Sequence, residues 1–333
     1  MKNANVRALT FGAALGTLYG IFIRLAFRGN DKLNDTFVVM SIAFLFVMPL
    51  VSGFLSVYFA EIRQKQSIHV WILVPWLTIL GGSVAMIAFA IEGWICIIMY
   101  FPVGLACSSI GGVVGGLIAR SKRLKRVGNI TTACILFLPF VFSPMESPLF
   151  RRREIRFVEN VIEVQASPAA VWDQIKTVPA IRKDELQPSW SHRIGFPDPI
   201  AATLSYEGVG GVRRASFDGG VLFIETVDSW EPQHRLSFSI HPETAQIPNK
   251  TLDEHVTVGG PYFDVLRGEY RIESLPNGKV RLHLTSWQRV STDFNWYAHL
   301  WTDAVMSDLQ KRILYVVQQR AEAEQKLENS AGN

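Results

Sequence analysis

The sequence predicts an α-helical multi-span membrane region followed by an α+β domain whose antiparallel strands close on a long C-terminal helix. Three observations predict it. Roughly the first 145 residues hold a series of apolar stretches of membrane length. The character of the chain changes near Glu146, and from Phe157 the apolar residues recur at period two. Beyond about Asn295 the period becomes helical. These set residues 1–150 as the transmembrane region, 151–326 as a folded module and 327–333 as a disordered tail.

Composition limits the function classes. Residues 1–150 hold 12 Lys and Arg against 5 Asp and Glu, whereas 151–333 hold 21 against 24. The basic excess therefore sits in loops beside apolar stretches, which leaves a nucleic-acid role unsupported. Cys96, Cys107 and Cys134 all fall inside apolar stretches, as buried thiols do, and not at disulfide or metal-ligand spacing. No cofactor or metal site is implied, and no catalytic constellation is visible.

Five apolar segments approach the length needed to cross ~30 Å of hydrocarbon. They are residues 9–27, 37–60, 70–91, 94–119 and 130–145. The fifth is short and carries Pro139 and Pro144. Lys2 and Arg7 before the first apolar run resemble a signal peptide, but no small-residue cleavage pattern follows, so an uncleaved helix is expected. The basic run Arg120–Arg126 marks a cytoplasmic loop. With five spans the amino terminus lies inside and the module outside. Were the fifth segment only dipped into the bilayer, Arg151–Arg153 and the module would be cytoplasmic.

Small residues recur at four-residue spacing, as Gly12/Gly16/Gly20, Gly111/Gly115 and Gly112/Gly116. That spacing puts them on one helical face where a second backbone can approach, either another helix of this chain or a homodimer partner. Arg24, Glu61 and Glu92 lie near segment ends, from which they can snorkel to the interface, so transport chemistry at mid-membrane is not expected.

In the module, a strand over 157–164 stops at Ser167-Pro168, an N-cap followed by proline at the first helical position. A short helix over 169–175 carries Val171, Trp172 and Ile175. After an irregular stretch from Pro179 to Pro199, alternation returns over 211–217, 221–230, 235–240, 265–272 and 279–290. Asn277-Gly278 marks a hairpin turn. The final helix carries Trp301, Val305, Leu309, Ile313 and Val317 on one face.

This order is that of a helix-grip domain. The phrase Val164-Gln-Ala-Ser-Pro-Ala-Ala-Val-Trp172 resembles the first strand and helix of the SRPBCC superfamily, which holds START-like and polyketide cyclase-like proteins. Gly208–Arg213, Arg267–Arg271, Leu275–Gly278, Thr285–Trp287 and Leu300–Val305 are similar to a bacterial subfamily in which such a domain follows several membrane helices. The resemblance spans about residues 155–325 and implies a multi-pass bacterial inner-membrane protein. It also implies a curved antiparallel sheet gripping the long helix, with a cavity between them for an apolar or amphipathic ligand. Of the histidines common before the penultimate strand in that subfamily, this chain has only His255.

Parity then places side chains. Leu236/Phe238/Ile240, Tyr270/Ile272 and Leu282/Leu284 are expected to face the helix, with Arg213, Ala215 and Phe217 inside and Ser286 and Gln288 continuing the last strand. An inward guanidinium at Arg213 needs a partner, either a carboxylate such as Asp303 or an anionic ligand group. Trp296, His299 and Trp301 crowd the start of the final helix, at a cavity mouth or in the core. The opposite row, Arg267/Glu269/Arg271 with Arg281/His283/Thr285, is expected as an exposed charge ladder with His283 on the surface. Residues 241–263 are long enough for a lid. The function these readings support is a membrane-anchored module binding a lipid or other hydrophobic molecule. The alternatives are a cyclase- or hydrolase-like enzyme acting on such a ligand and a protein-interaction module.

Overall fold

The computed structural model describes residues 2–27, 37–124, 134–150, 152–243 and 257–331. The chain divides into two compact units, Met1–Arg152 with Thr292–Phe294, and Arg153–Ser291 with Asn295–Asn333.

The first unit is helical: α1 (Lys2–Ala26), a π-helical turn (Ala43–Val47) leading into α2 (Met48–Arg63), α3 (Ile68–Ala88), α4 (Trp94–Leu124) and α5 (Leu138–Phe150). Four stretches, Asn5–Ala26, Ala43–Arg63, Ile68–Ala88 and Trp94–Ser121, are long and apolar enough to cross a membrane, with mean hydropathy between 1.5 and 2.0. The expected fifth segment starts outside the described residues. From residue 134 the chain is helical up to a turn at Phe137, and α5 itself, with 13 residues, is about 20 Å long.

Helix α2 is the hub and packs against α1, α3 and α4. The small residues make this possible. A Cβ on Gly12 would lie 2.1 Å from the Ser56 carbonyl oxygen, and one on Gly111 only 1.8 Å from that of Leu50. On the next face of α4, a Cβ on Gly112 would meet the Trp71 carbonyl oxygen at 2.2 Å. These glycine faces are thus occupied by this chain's own helices. Large apolar side chains such as Phe22, Leu73, Leu77, Leu80, Val114 and Leu117 point outward.

The charged groups at the segment ends do not snorkel. Arg24 is buried and paired with Glu92. Glu61 is fully buried, accepting the Gln66 N–H at 2.8 Å and the Trp71 Nε1–H at 3.2 Å while pairing with Arg120 at 3.2 Å. Several donors and a cation satisfy this carboxylate inside the bundle, which removes the need to extend outward.

The second unit is a seven-stranded, wholly antiparallel sheet in the order β1-β7-β6-β5-β4-β3-β2. Its strands are β1 (Glu154–Val164), β2 (Pro199–Leu204), β3 (Val212–Phe217), β4 (Leu222–Glu231), β5 (Arg235–Glu243), β6 (Phe263–Ser274) and β7 (Val280–Val290). Its helices are α6 (Pro168–Lys176), α7 (Trp190–Arg193) and α8 (Asn295–Ala331). Irregular register between Val227 and Ser229 and between Val265 and Arg267 adds local twist, and the sheet curls around α8. Strand β2, which alternation did not reveal, is an edge strand. Helix α8 continues through 327–331, where a disordered tail was expected.

The core of this unit joins α6, the inner sheet face and the second half of α8, through Val171, Trp172, Ile175, Leu236, Leu282 and Leu314. Ser167 caps α6, its Oγ accepting the Ala170 N–H at 3.3 Å. Gly268 faces Phe238 in register, and a Cβ there would lie 2.5 Å from the ring, so glycine lets the ring lie flat on the sheet.

The buried row of α8 is Met306, Gln310, Leu314, Val317 and Ala321, not the expected Trp301/Val305/Leu309/Ile313/Val317. The reason is Gln310. Its Nε2–H donates to the Val158 carbonyl at 3.0 Å and to Ser286 Oγ at 2.8 Å, and its Oε1 accepts from Asn160 at 2.7 Å. A fully hydrogen-bonded amide is at home in a core, and a purely apolar period cannot find it.

Candidate functional site

The inner face of the sheet carries a charged cluster built by one hairpin. Gly219 (φ 72°) and Gly220 (φ 81°) turn the chain between β3 and β4, and a hairpin centred there sets Arg213 directly opposite Glu225. Both are on the inner row, and Arg213 is only 4% exposed. Arg213 Nη1 donates to Glu225 Oε2, a pairing that replaces the anticipated partner Asp303. Asp303 instead accepts from Gln288 Nε2 at 2.6 Å and pairs with Arg156 at 3.0 Å. The position of Glu225 was legible as parity within β4, but it carries no motif of its own.

Tyr270 and Phe238 complete the cluster. The Tyr270 phenol stands beside Arg213, whose guanidinium carbon lies 5.4 Å from the Phe238 ring centre. Burial pushes the Glu225 carboxyl up against the pull of Arg213, and burial pushes the Tyr270 phenol up as well. Among the described residues, Arg213 Nε–H has no acceptor, and Gln288 Oε1 has no donor. The face therefore offers a buried Arg213–Glu225 ion pair, one unpartnered donor and one unpartnered acceptor.

The other expected residues divide. Phe217, Phe238, Tyr270, Leu284, Ser286 and Gln288 are buried on the predicted inner rows. His299 is buried, with Nε2 2.8 Å from Glu154 Oε2. Trp301 is half-buried and meets Tyr297 edge-on. Trp296 is 65% exposed and belongs to neither core nor inner face. His283, expected on the surface, is 8% exposed: it sits on the outer face under Arg271, with Glu159 at 2.9 Å and Glu273 at 3.3 Å. The long neighbours of a flat charge ladder fold over it and shield it from water. Most of the expected lid, 244–256 with His255, lies outside the described residues.

A second polar cluster gave no signal in the sequence because its two halves, around Ser189 to Asp198 and around Asp308 to Arg312, are more than 100 residues apart. Asp308 on α8 accepts from the Ser189 hydroxyl, from the Ser191 hydroxyl at 2.5 Å and from the Ser191 N–H at 3.0 Å. Those bonds use both hydroxyl protons, so at 2.6 Å from Ser189 Oγ the His192 Nδ1 must be the donor. His192 Nε2 then faces Asp198 at 3.4 Å, and Asp198 is held by Arg312 at 2.7 Å. Burial first, and Arg312 second, hold His192 below its ordinary range. A shallow recess of about 310 Å³ opens beside these groups, lined by Leu186, Ser189, His192 and Arg312 among others. Ser189 has no free base to take its proton, so this geometry locks α7 onto α8 and does not activate a nucleophile.

No protein-family model and no curated protein matches the chain. Among solved structures, half of the chain is similar to a START superfamily protein from Mycobacterium smegmatis (10% identity, 97% of that chain, TM-score 0.33). The same share is similar to the Zhui aromatase/cyclase from Streptomyces sp. R1128 (16%, 94% of that chain, TM-score 0.32). It is also similar to a conserved protein from Geobacillus kaustophilus (13%, 96% of that chain, TM-score 0.32). None of these comparisons reaches the narrower bacterial group. The sheet order, the antiparallel pairing throughout and the long closing helix give the second unit a helix-grip architecture.

Proposed function

We propose that the chain is a membrane-anchored helix-grip module that binds a hydrophobic or amphipathic small molecule or lipid between sheet and helix. The observation that carries this reading is Arg213. A guanidinium kept on the concave face with an unpartnered Nε–H is costly to hold there, and the polar end of an amphipathic ligand would use it. The membrane part of the reading rests on the four apolar helices and their outward-facing large side chains.

The test is native mass spectrometry and lipid extraction of the full chain purified in nanodiscs. Wild type is expected to retain a reproducible small molecule. The paired substitution Arg213→Met/Glu225→Leu, which removes both charges together and so spares the fold, is expected to lose it. Equal content in the two proteins would sink the reading. With residues 130–145 taken as the fifth span expected from the sequence, we place the module outside the cytoplasm. Labelling of Val209→Cys by an impermeant thiol reagent in intact cells is the expected result, and protection of that site would put the module inside.

An enzyme acting on the same ligand is the second reading, favoured by Glu225 and Tyr270 standing side by side at Arg213. It requires turnover of the retained molecule that Glu225→Gln abolishes.

A further inference from the structure

Among the large apolar side chains that the second unit leaves exposed, four lie near the start of the two elements that meet at one end, whereas others, such as Val161, Tyr206, Val209 and Leu327, lie elsewhere. On β1, Ile155 and Phe157 (63% exposed) point to the outer sheet face, while Val158 and Asn160 belong to the inner side. On α8, Trp296 and Leu300 (both 65% exposed) are one helical turn apart and form an outward stripe. The register brings the start of β1 and the start of α8 together at this end: Glu154 pairs with Val290, α8 begins five residues after Val290, and His299 binds Glu154 at 2.8 Å. Phe157 lies opposite Trp287, whose ring has the Arg267 guanidinium 5.1 Å from its centre.

We propose that this end of the domain seats on the surface of a bilayer containing anionic lipid, with Ile155, Phe157, Trp296 and Leu300 immersed at the interface. The proposal rests on the membrane reading above and adds a contact that an anchor alone does not require. Covalent reach argues for the bilayer as occupant. Only Arg151–Arg153 separate the end of α5 from the start of β1, a span of about 14 Å at full extension. The start of β1 is therefore within that length of chain from the end of α5. Charge and residue type argue the same way. Arg152 and Arg153 are exposed directly before β1, Arg156 follows, and aromatic rings beside Arg side chains are what membrane–water interfaces select. Val209, just as exposed at 63%, sits in the β2–β3 turn at the opposite end of the sheet, near the acidic Glu207.

The test uses the full chain in nanodiscs, with Cys96, Cys107 and Cys134 replaced by Ala and single spin labels at Phe157→Cys or Leu300→Cys. Leu77→Cys on α3 reports hydrocarbon and Val209→Cys reports water. Relaxation by oxygen is compared with relaxation by a water-soluble nickel chelate. Near-ultraviolet circular dichroism checks each fold, and Ile155→Cys replaces Phe157→Cys if that variant is disordered. The expected result is oxygen-dominated relaxation at 157 and 300, as at 77, with a shift toward the nickel chelate when anionic lipid is omitted. If 157 or 300 follows Val209 while 77 follows hydrocarbon, the seating is overturned and the membrane reading stands. If 77 itself is nickel-accessible, the membrane reading fails and takes this inference with it. Depth unaffected by lipid charge overturns the anionic requirement.

Discussion

Removing one member of the Arg213–Glu225 pair leaves the other charge buried without a partner. Both side chains are more than nine-tenths buried, so water cannot take over the lost interaction. The cost of such an orphaned charge is about 3–5 kcal/mol. For a unit of this size each kcal/mol lowers the melting midpoint by roughly 2–4 °C, so Arg213→Met or Glu225→Leu alone is expected to lose on the order of 6–20 °C. The paired substitution removes both desolvation costs and fills the site with apolar volume. Exchanges of this kind are neutral or stabilising by ~1–4 kcal/mol, so the double variant is expected to melt at or above wild type. The assay is thermal unfolding of the full chain in detergent, followed by near-ultraviolet circular dichroism, with hydrogen exchange in β3 to β6 to locate the change. A single variant as stable as wild type would refute the burial argument, and a double variant as unstable as the sum of the singles would refute the coupling.

Three further outcomes are expected. Gly111→Ala places a Cβ 1.8 Å from the Leu50 carbonyl oxygen and must push α4 off α2, whereas Gly82→Ala meets nothing within 4 Å. In detergent stability measurements the first is expected to cost ~1–3 kcal/mol or more, and the second to be neutral or gain up to about 1 kcal/mol; equal effects would disprove the close α2–α4 contact. Arg320 holds the Glu185 carboxyl at about 2, below its ordinary value of 4.5, so the folded protein resists protonation that the unfolded chain accepts. The Glu185 contribution to stability is therefore complete above pH 4.5 and is lost as pH falls toward 2. The difference in midpoint between wild type and Glu185→Gln should shrink over that window, and a pH-independent difference would argue against the pairing. Ser167→Ala removes the cap of α6 and is expected to cost about 1 kcal/mol, with Ser167→Gly intermediate; no loss in denaturant midpoint would mean the cap bond is not formed.

The inner rows of the sheet were legible because a half-buried strand must alternate, and Arg213, Phe217, Phe238, Tyr270, Leu284, Ser286 and Gln288 all fall where parity put them. Ser167-Pro168 was legible because capping is a local transaction between one hydroxyl and an N–H three residues on. Edge strand β2 was not, since a short edge strand has little apolar signal. The buried row on α8 was misplaced by the same limit, because Gln310 earns its burial only from Val158, Asn160 and Ser286.

The sequence by itself determined the division into two units, the run of long apolar helices, the alternation of the strands and the close approach its glycines permit. These follow from period, length and side-chain size, which act within one element. The tertiary structure alone decided who meets whom. It gave Arg213 to Glu225 and not Asp303, turned the glycine faces onto the chain's own helices, drew Arg24 and Glu61 into buried pairs, and joined Ser189, His192 and Asp308. Charges and hydrogen-bonding groups take partners by distance in space, and that distance is set by register and helix packing, which local pattern does not encode.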